Sequence, residues 1–194
     1  MTDSPASPQT TGVGSPLAEP QHAPGPDLDE VFVAHAGYVG VSLRRLGIPE
    51  RDLEDVTHDV FLVVHRHLHD YDPARPIRPW LFGIAVRVSL AYRRRAGFQR
   101  EDIRADVDLH AADLGPAPDE RLDRERSRRL VLAALESLGY ERRAVLVMHD
   151  IDGHSMPDIA LALGIPLNTG YSRLRLARVD FENAVRRLSP RGTP

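Results

Sequence analysis

The segment between Gly153 and Arg178 concentrates the side chains of this sequence that are best suited to contact a nucleic acid. It reads GHSMPDIALALGIPLNTGYSRLRLAR and ends in three arginines, Arg173, Arg175 and Arg178. No acid follows Asp158 within the segment. Arginine forks onto guanine or holds phosphates. Because these arginines have no acidic neighbours in sequence, we expect their partner to lie elsewhere, and nucleic acid is such a partner.

The chain around these arginines predicts a helix-turn-helix. The segment begins with a short amphipathic helix, which ends at a break at residues 164–166. A longer helix follows, from about Asn168 to Leu188. The inward residues are Met156, Ile159, Ala160 and Leu163 in the first helix, and Leu174, Ala177, Phe181 and Leu188 in the second. The outward and flanking residues of the second helix are Asn168, Thr169, Tyr171, Ser172, Arg173, Arg175 and Arg178. Such a face fits the major groove of duplex DNA, and a solvated helical hairpin is the alternative.

Composition predicts small domains in the cytoplasm. The 194 residues suffice for two small domains. The absence of cysteine excludes disulfides and thiolate metal sites. The longest apolar runs fall far short of the roughly 20 residues of a membrane span. Because the N-terminus has neither a basic start nor an apolar core, we do not expect a secretory signal.

The net charge of -3 conceals an alternation along the chain. The formal charges of residues 1–30, 31–100, 101–127 and 128–194 are -5, +4, -5 and +3. Two mildly basic blocks are therefore separated by acidic connectors, and basic blocks are candidates for nucleic-acid contact. The predicted organisation is a disordered, proline-rich tail (1–26), a helical domain (27–100), a flexible acidic linker (101–127) and a helix-turn-helix domain (128–190).

The first domain shows helical rather than strand periodicity. Apolar residues from Leu53 to Val64 recur at spacings of three and four, with acids mostly off that stripe. The three prolines of YDPARPIRPW then predict a rigid loop. The next helix has its apolar stripe at Leu81, Ile84, Ala85, Val88 and Tyr92. Because no segment alternates apolar and polar residues for long, the predicted fold is all-α, with two small helical domains.

Both domains resemble the extracytoplasmic-function (ECF) sigma factors of bacterial RNA polymerase, in the sigma-70 family. The stretch LGYERRAVLVMHDIDGHSMPDIALALGIPLNTGYSRLRLAR is similar to their C-terminal region 4 domain. The stretch DLEDVTHDVFLVVHRHLHDYDPARPIRPWLFGIAVRVSLAYRRR is similar to their N-terminal region 2 domain. The resemblance implies a sigma factor that binds core RNA polymerase and promoter DNA to direct initiation. It also implies no catalysis and no cofactor, and an anti-sigma factor is a partner that family members have.

The resemblance also assigns residues. On the polymerase-docking helix it places Asp52, Asp55, Asp59, Phe61 and Leu62. For the minus-ten element it places Arg75, Arg78, Trp80, Arg87, Arg94 and Arg95. The outward residues of the last helix would read the minus-thirty-five element. Two readings of Trp80 stay open, a platform for an unpaired base and an anchor in the core. Gly170 and Tyr171 depart from the family pattern. Two consequences of Gly170 stay open, a looser start of the last helix and a gap that Leu167 and Tyr171 fill.

Two other classes of protein compete with this interpretation. A stand-alone helix-turn-helix regulator would use residues 128–190 alone and has no need of the N-terminal block. An enzyme would have to rely on histidines, among which His65 and His69 share a helical face but have no third ligand nearby in sequence. We therefore predict neither a metal site nor catalysis.

Overall fold

The computed structural model describes residues 26–100 and 119–189. In those ranges the secondary structure is helical and contains no strand, which confirms the predicted all-α class. The helices are α1 (Leu28–Arg45), α2 (Leu53–His67), α3 (Ile77–Arg100), α4 (Asp119–Glu136), α5 (Tyr140–Leu146), α6 (Met156–Leu163) and α7 (Leu167–Leu188). The predicted tail up to residue 25 and linker residues 101–118 lie outside the described residues.

Helices α1 to α3 form an N-terminal bundle around an apolar core. Val56, Val60 and Val64 of α2 are buried, as the spacing of three and four predicts. They pack with buried residues of α1 and α3, such as Leu43 and Leu81. The outer side of α2 is left for polar and acidic residues.

Helix α3 begins earlier than the prolines suggest. The sequence predicts a loop through residues 71–80, but α3 starts at Ile77 and includes Pro79 and Trp80 in its first turn. Proline is tolerated there because the first amides of a helix have no intrahelical acceptor and its fixed φ suits a helix. The loop before α3 is therefore shorter than predicted.

Helix α4 also begins earlier than expected. Residues 119–127, placed in the linker by the sequence, form its first half. This part lacks a strong apolar stripe, but it contains no glycine or proline, and Glu125 pairs with Arg129 at 3.2 Å, one turn later. Such pairs support an exposed helix by a few tenths of a kcal/mol each.

Helices α4 to α7 form a C-terminal bundle. On α7, Leu174 and Ala177 are buried and Phe181 is partly buried, as predicted. Leu188 is 47% exposed, so its predicted inward position is wrong. The helix runs beyond the core there, and Ala184 is the last buried residue of α7.

The two bundles share one core. Leu46, Phe82 and Val86 of the N-terminal bundle belong to the same buried cluster as residues of α4 to α7, including Leu135 and Met148. The predicted linker length would allow the two domains to sit apart. The structure instead places α6 directly against α3.

Candidate nucleic-acid interface and acidic groove

The helix-turn-helix is built by a cap and a left-handed residue. Ser155 caps α6, and its hydroxyl oxygen accepts a hydrogen bond from the Asp158 amide at 3.3 Å. Gly164 ends α6 with φ at +64°, a conformation that glycine adopts without a Cβ clash. Helix α7 begins three residues later, at Leu167. This tight turn fixes α7 across α6 and leaves one face of α7 to solvent.

The outward face of α7 is where the sequence predicts it. Asn168, Ser172 and Arg175 are exposed, and they follow one another at spacings of four and three. Tyr171 is 52% exposed beside them. Thr169 and Arg173, predicted as flanking residues, are partly buried. The face is polar and carries the positive charge of Arg175.

Of Arg173, Arg175 and Arg178, two have acidic partners within the chain, which corrects the expectation that their partner lies elsewhere. Arg178 donates to both carboxylate oxygens of Asp150, from Nε at 2.8 Å and from Nη2 at 2.7 Å. Arg173 lies 2.5 Å from the Glu141 carboxylate. Among the described residues, Arg175 has no ion-pair partner. The acids come from α5 and the π-helical turn after it (Val147–Ile151), which sequence spacing does not place beside α7.

The pairing with Arg178 changes the acidity of Asp150. The hydrogen bonds from Arg178 are the main cause that lowers the pKa of Asp150 from 3.8 to about 2. Burial opposes this shift, and a weaker effect of the His149 hydrogen bond adds to it. The carboxylate is therefore ionised at neutral pH. Because both side chains touch water, the pair is screened by salt and contributes modestly to stability.

Asp150→Asn is expected to remove a contribution to the free energy of unfolding that is present at neutral pH and is lost in acid. A carboxyl group whose pKa falls on folding stabilises the protein fully above its unfolded value of 3.8. That stabilisation is lost as the pH drops through the folded value of about 2. Urea denaturation of both proteins across the acid range should show a difference that is constant above the unfolded value and shrinks below it. A difference that stays constant to the lowest pH would contradict the assignment.

The gap at Gly170 is filled differently from the sequence-based expectation. Leu167 and Tyr171 are both exposed and do not fill it. Gly170 is buried, and a Cβ there would lie 2.6 Å from the Met156 sulfur. The methionine of α6 therefore occupies the space over Gly170, and α6 and α7 approach closely at this point.

An acidic groove lies on the N-terminal bundle, along α2. It has a volume of about 660 Å³ and is lined by Phe32, Leu53, Glu54, Asp55, Thr57, His58 and Asp59. Phe32 is 45% exposed, so the groove combines an apolar wall with three carboxylates. Leu62 is exposed three residues after Asp59, on the same helical face. Sequence reasoning missed Phe32, because α1 carries glycines that weaken its periodicity.

Two residues assigned to docking have structural roles instead of facing the groove. Phe61 is 5% exposed and packs edge to face with Phe32, with ring centroids 4.7 Å apart. It supports the wall of the groove from beneath, which corrects its predicted contact role. Asp52 accepts a hydrogen bond from the Tyr92 hydroxyl at 2.6 Å, so it ties α3 to the start of α2.

The residues predicted to contact the minus-ten element fall into two groups. Arg87 and Arg94 are exposed on one face of α3, with Arg95 beside them at 3.5 Å from Asp59. Arg75 and Arg78 are exposed near the start of α3. Arg75 pairs with Asp72 at 3.2 Å, and Arg78 lies over the Tyr38 ring.

Trp80 is attached to the core of the N-terminal bundle. It is partly buried, packs against that core, and lies 5.2 Å from the Tyr71 ring between centroids. This position favours the anchoring role among the two that the sequence leaves open.

Neither a metal site nor a membrane span is found in the described ranges. No group of three or more histidine, aspartate or glutamate side chains there could hold a metal ion. His65, His67 and His69 are exposed, and the last two lie beside Asp70. None of the described helices has both the length and the apolar character needed to cross a bilayer.

Family models match both bundles. The Sigma-70 region 2 model matches residues 32–99, and the Sigma-70, region 4 model matches residues 128–181. The first match spans the acidic groove and most of α3. The second spans the helix-turn-helix and its supporting helices.

Individual proteins are similar over most of the chain. The ECF RNA polymerase sigma factor SigE of Mycolicibacterium smegmatis is 33% identical over 176 residues, which are 90% of this chain and 68% of SigE. The RNA polymerase sigma factor CnrH of Cupriavidus metallidurans is 31% identical over 159 residues, 78% of this chain and 83% of CnrH. A structure of CnrH in complex with the cytosolic domain of CnrY has a TM-score of 0.59 and 28% identity, covering 84% of this chain and 89% of that one.

Proposed function

This chain belongs to the extracytoplasmic-function group of the sigma-70 family, and we propose that one of its two exposed faces binds polymerase while the other binds promoter DNA. As a sigma factor, the chain binds core RNA polymerase and directs promoter-specific initiation. The observation that carries the division is the chemical contrast between the faces. The groove on α2 is acidic and apolar, whereas the exposed face of α7 is polar and basic.

The groove on α2 is proposed as the polymerase-docking surface. Asp55, Asp59 and Glu54 supply negative charge, and Phe32 supplies an apolar contact. Leu62 extends the apolar surface along the helix. A helical segment rich in arginine fits such a groove, because its charges meet carboxylates and its aliphatic stems cover the phenyl ring.

The exposed face of α7 is proposed to read the minus-thirty-five element in the major groove. Arg175 is the side chain best placed to fork onto a guanine, since no acid within the described residues holds it. Asn168 and Ser172 lie on the same face and reach bases or phosphates. Arg173 and Arg178 bind phosphates when they exchange their carboxylate partners for DNA.

The minus-ten element is proposed to bind along α3 and the loop before it. Arg87 and Arg94 form an exposed basic strip that fits a phosphate backbone. Arg75, Arg78 and Trp80 surround the entry to the helix. Separated strands need a preformed surface for unstacked bases, and a helix start held by prolines supplies a rigid one.

Regulation by a protein inhibitor is part of the proposal. The similar protein CnrH is described in complex with the cytosolic domain of CnrY. We propose that an anti-sigma factor likewise holds this chain, that the chain acts in the cytoplasm beside polymerase, and that it performs no catalysis of its own. The minus-thirty-five sequence that it prefers is set by the α7 residues named above.

Asp55→Lys tests the docking surface. Reversing one charge in the groove should weaken binding to core polymerase by about tenfold or more, because like charges then face each other across the interface. The matched control is Glu182→Lys, the same charge change at an exposed position of α7. Fluorescence anisotropy with labelled chain and purified core polymerase measures both affinities. Equal affinities for Asp55→Lys and the unmodified chain would overturn the assignment of the groove.

A further inference from the structure

The start of α7 exposes two large apolar side chains to solvent. Leu167, the first residue of α7, is 43% exposed, and Tyr171, one turn later, is 52% exposed. Residues four apart are neighbours on a helix, so the two side chains form one apolar surface, called here the apolar pair. Grouped apolar side chains that are rimmed by polar residues are typical of binding surfaces.

The core beneath α7 is complete without the apolar pair. Leu174 of α7 and Met156 of α6 are buried together in that core. Within the described residues, Leu167 and Tyr171 belong neither to the buried members of this cluster nor to the partly buried side chains packed against it. The space over Gly170 is filled by the Met156 sulfur. Packing of the bundle therefore does not account for large apolar side chains at positions 167 and 171, and binding does.

Polar side chains and one charge adjoin the apolar pair. Asn168 and Ser172, each one position after a member of the pair, are exposed. Arg175 follows Tyr171 by four positions and Ser172 by three, so it lies next to both. In the part of the chain that the structure describes, no acid pairs with Arg175, so its charge is available to an anionic ligand. An apolar surface, neutral hydrogen-bonding groups and a cation therefore lie side by side.

The major groove of duplex DNA presents groups that match this surface. Thymine alone among the four bases offers an apolar group there, the C5 methyl, whereas guanine offers two acceptors onto which an arginine forks. A recognition helix brings the residues of its first turns to the base edges. Tyr171 lies in the second turn of α7. The apolar pair is therefore placed to meet the one base that an apolar side chain can distinguish.

We propose that Tyr171 selects a thymine in the minus-thirty-five element through contact of its ring with the C5 methyl, and that Leu167 extends this apolar contact. The inference rests on the proposed function, because it names a second base that α7 reads beside the guanine of Arg175. A tyrosine ring suits the contact, since it offers a large area and has only two rotatable side-chain bonds to immobilise.

The spacing of Tyr171 and Arg175 also sets how far apart the two bases lie. Four residues rise about 6 Å along a helix, whereas successive base pairs rise about 3.4 Å along the duplex. The thymine contacted by Tyr171 therefore lies within about two base pairs of the guanine contacted by Arg175. Sequences bound by the chain should contain both bases at that separation.

Deoxyuridine tests the contact at the level of one methyl group, because it pairs as thymine does and lacks only the C5 methyl. Duplexes that bind the chain assembled with core polymerase are first selected from a pool of random sequences. Each thymine of the selected minus-thirty-five element is then replaced singly by deoxyuridine, and electrophoretic mobility shifts give the affinities. We expect at least one replacement to weaken binding by about fourfold, which corresponds to about 0.8 kcal/mol for one buried methyl group.

Substitutions at position 171 assign the methyl contact to the tyrosine ring. Tyr171→Ala should bind thymine and deoxyuridine duplexes equally, whereas Tyr171→Phe should keep the fourfold difference of the unmodified chain. A tyrosine hydroxyl that donated to a phosphate would instead be lost in both variants, with no effect of deoxyuridine. The matched control is Val179→Ala, since Val179 is 50% exposed on the same helix and about 12 Å further along it. This control should keep the difference.

Equal affinities of the unmodified chain for thymine and deoxyuridine duplexes would overturn the inference. So would a methyl dependence that survives in Tyr171→Ala, since another residue would then contact the methyl. If Tyr171→Ala weakened only the binding of core polymerase, the apolar pair would belong to a polymerase contact, and the inference would again be wrong.

The same selection separates this inference from the proposed function. An enriched duplex whose binding needs Arg175 but no thymine methyl would contradict the inference and leave the proposed function standing. A pool in which no duplex is enriched would contradict both, because α7 would then read no bases.

Discussion

Phe82→Ala is expected to lower the free energy of unfolding by about 3 to 5 kcal/mol, the usual cost of truncating a buried phenylalanine. Phe82 is 0% exposed and lies in the core shared by both bundles. Its removal loses the transfer free energy of the ring and leaves a cavity that surrounding helices fill only in part. Urea denaturation followed by circular dichroism measures the change.

The matched control for this substitution is Phe32→Ala. Phe32 is 45% exposed, so the same chemical change should cost much less. A loss for Phe82→Ala no larger than the loss for Phe32→Ala would contradict the shared core. It would mean that Phe82 faces water and that the bundles are not packed together in solution.

Arg175→Ala is expected to weaken binding to minus-thirty-five duplex DNA by about tenfold or more. One forked contact from arginine to guanine favours the correct base over a wrong one by about 1 to 3 kcal/mol. Arg175 is exposed on the outward face of α7 and has no ion-pair partner within the described residues. Arg178→Ala should have a smaller effect, because DNA must first compete with Asp150 for that guanidinium. Electrophoretic mobility shifts with holoenzyme on promoter DNA give the affinities.

Arg187→Ala is the matched control for α7. Arg187 is exposed near the end of the same helix, beyond the face proposed to read DNA. Its loss should change affinity less than that of Arg175 and by a similar factor on specific and random sequences. If Arg175→Ala and Arg187→Ala weakened binding equally on all sequences, α7 would supply charge alone, and its reading role would be wrong.

Local periodicity predicted which sides of α2 and α7 are buried and which are exposed. The stripe of Val56, Val60 and Val64 set the buried side of α2, and the 100° advance per residue set the outward side of α7. These predictions succeed because a helix fixes the relative directions of residues three and four apart. The same rule places Asp55 and Asp59 on one face, where the groove contains both.

Contacts between distant residues lay beyond that rule. Asp150 and Arg178 are 28 positions apart, and Met156 covers Gly170 from another helix. The spacing of residues along the sequence does not predict these contacts, because the contacts depend on how α5, α6 and α7 pack. The burial of Phe61 behind Phe32 has the same origin.

The sequence does indicate one long-range feature, the burial of part of α3 on all sides. All six residues from Leu81 to Val86 are buried, so this part of α3 has no solvent side. The run LFGIAV is apolar all round, which indicates a helix enclosed on every side. The N-terminal bundle encloses one side, and α6 encloses the other.

Reconstituted transcription tests most directly whether α2 binds polymerase and α7 binds the promoter. Genomic fragments recovered with the tagged chain are transcribed by purified core polymerase, with and without the chain. We expect transcripts from fixed start points only when the chain is present, reduced by Asp55→Lys through polymerase binding and by Arg175→Ala through promoter binding. Specific occupancy of the same fragments by the chain alone, with no chain-dependent transcript from core polymerase, would contradict it.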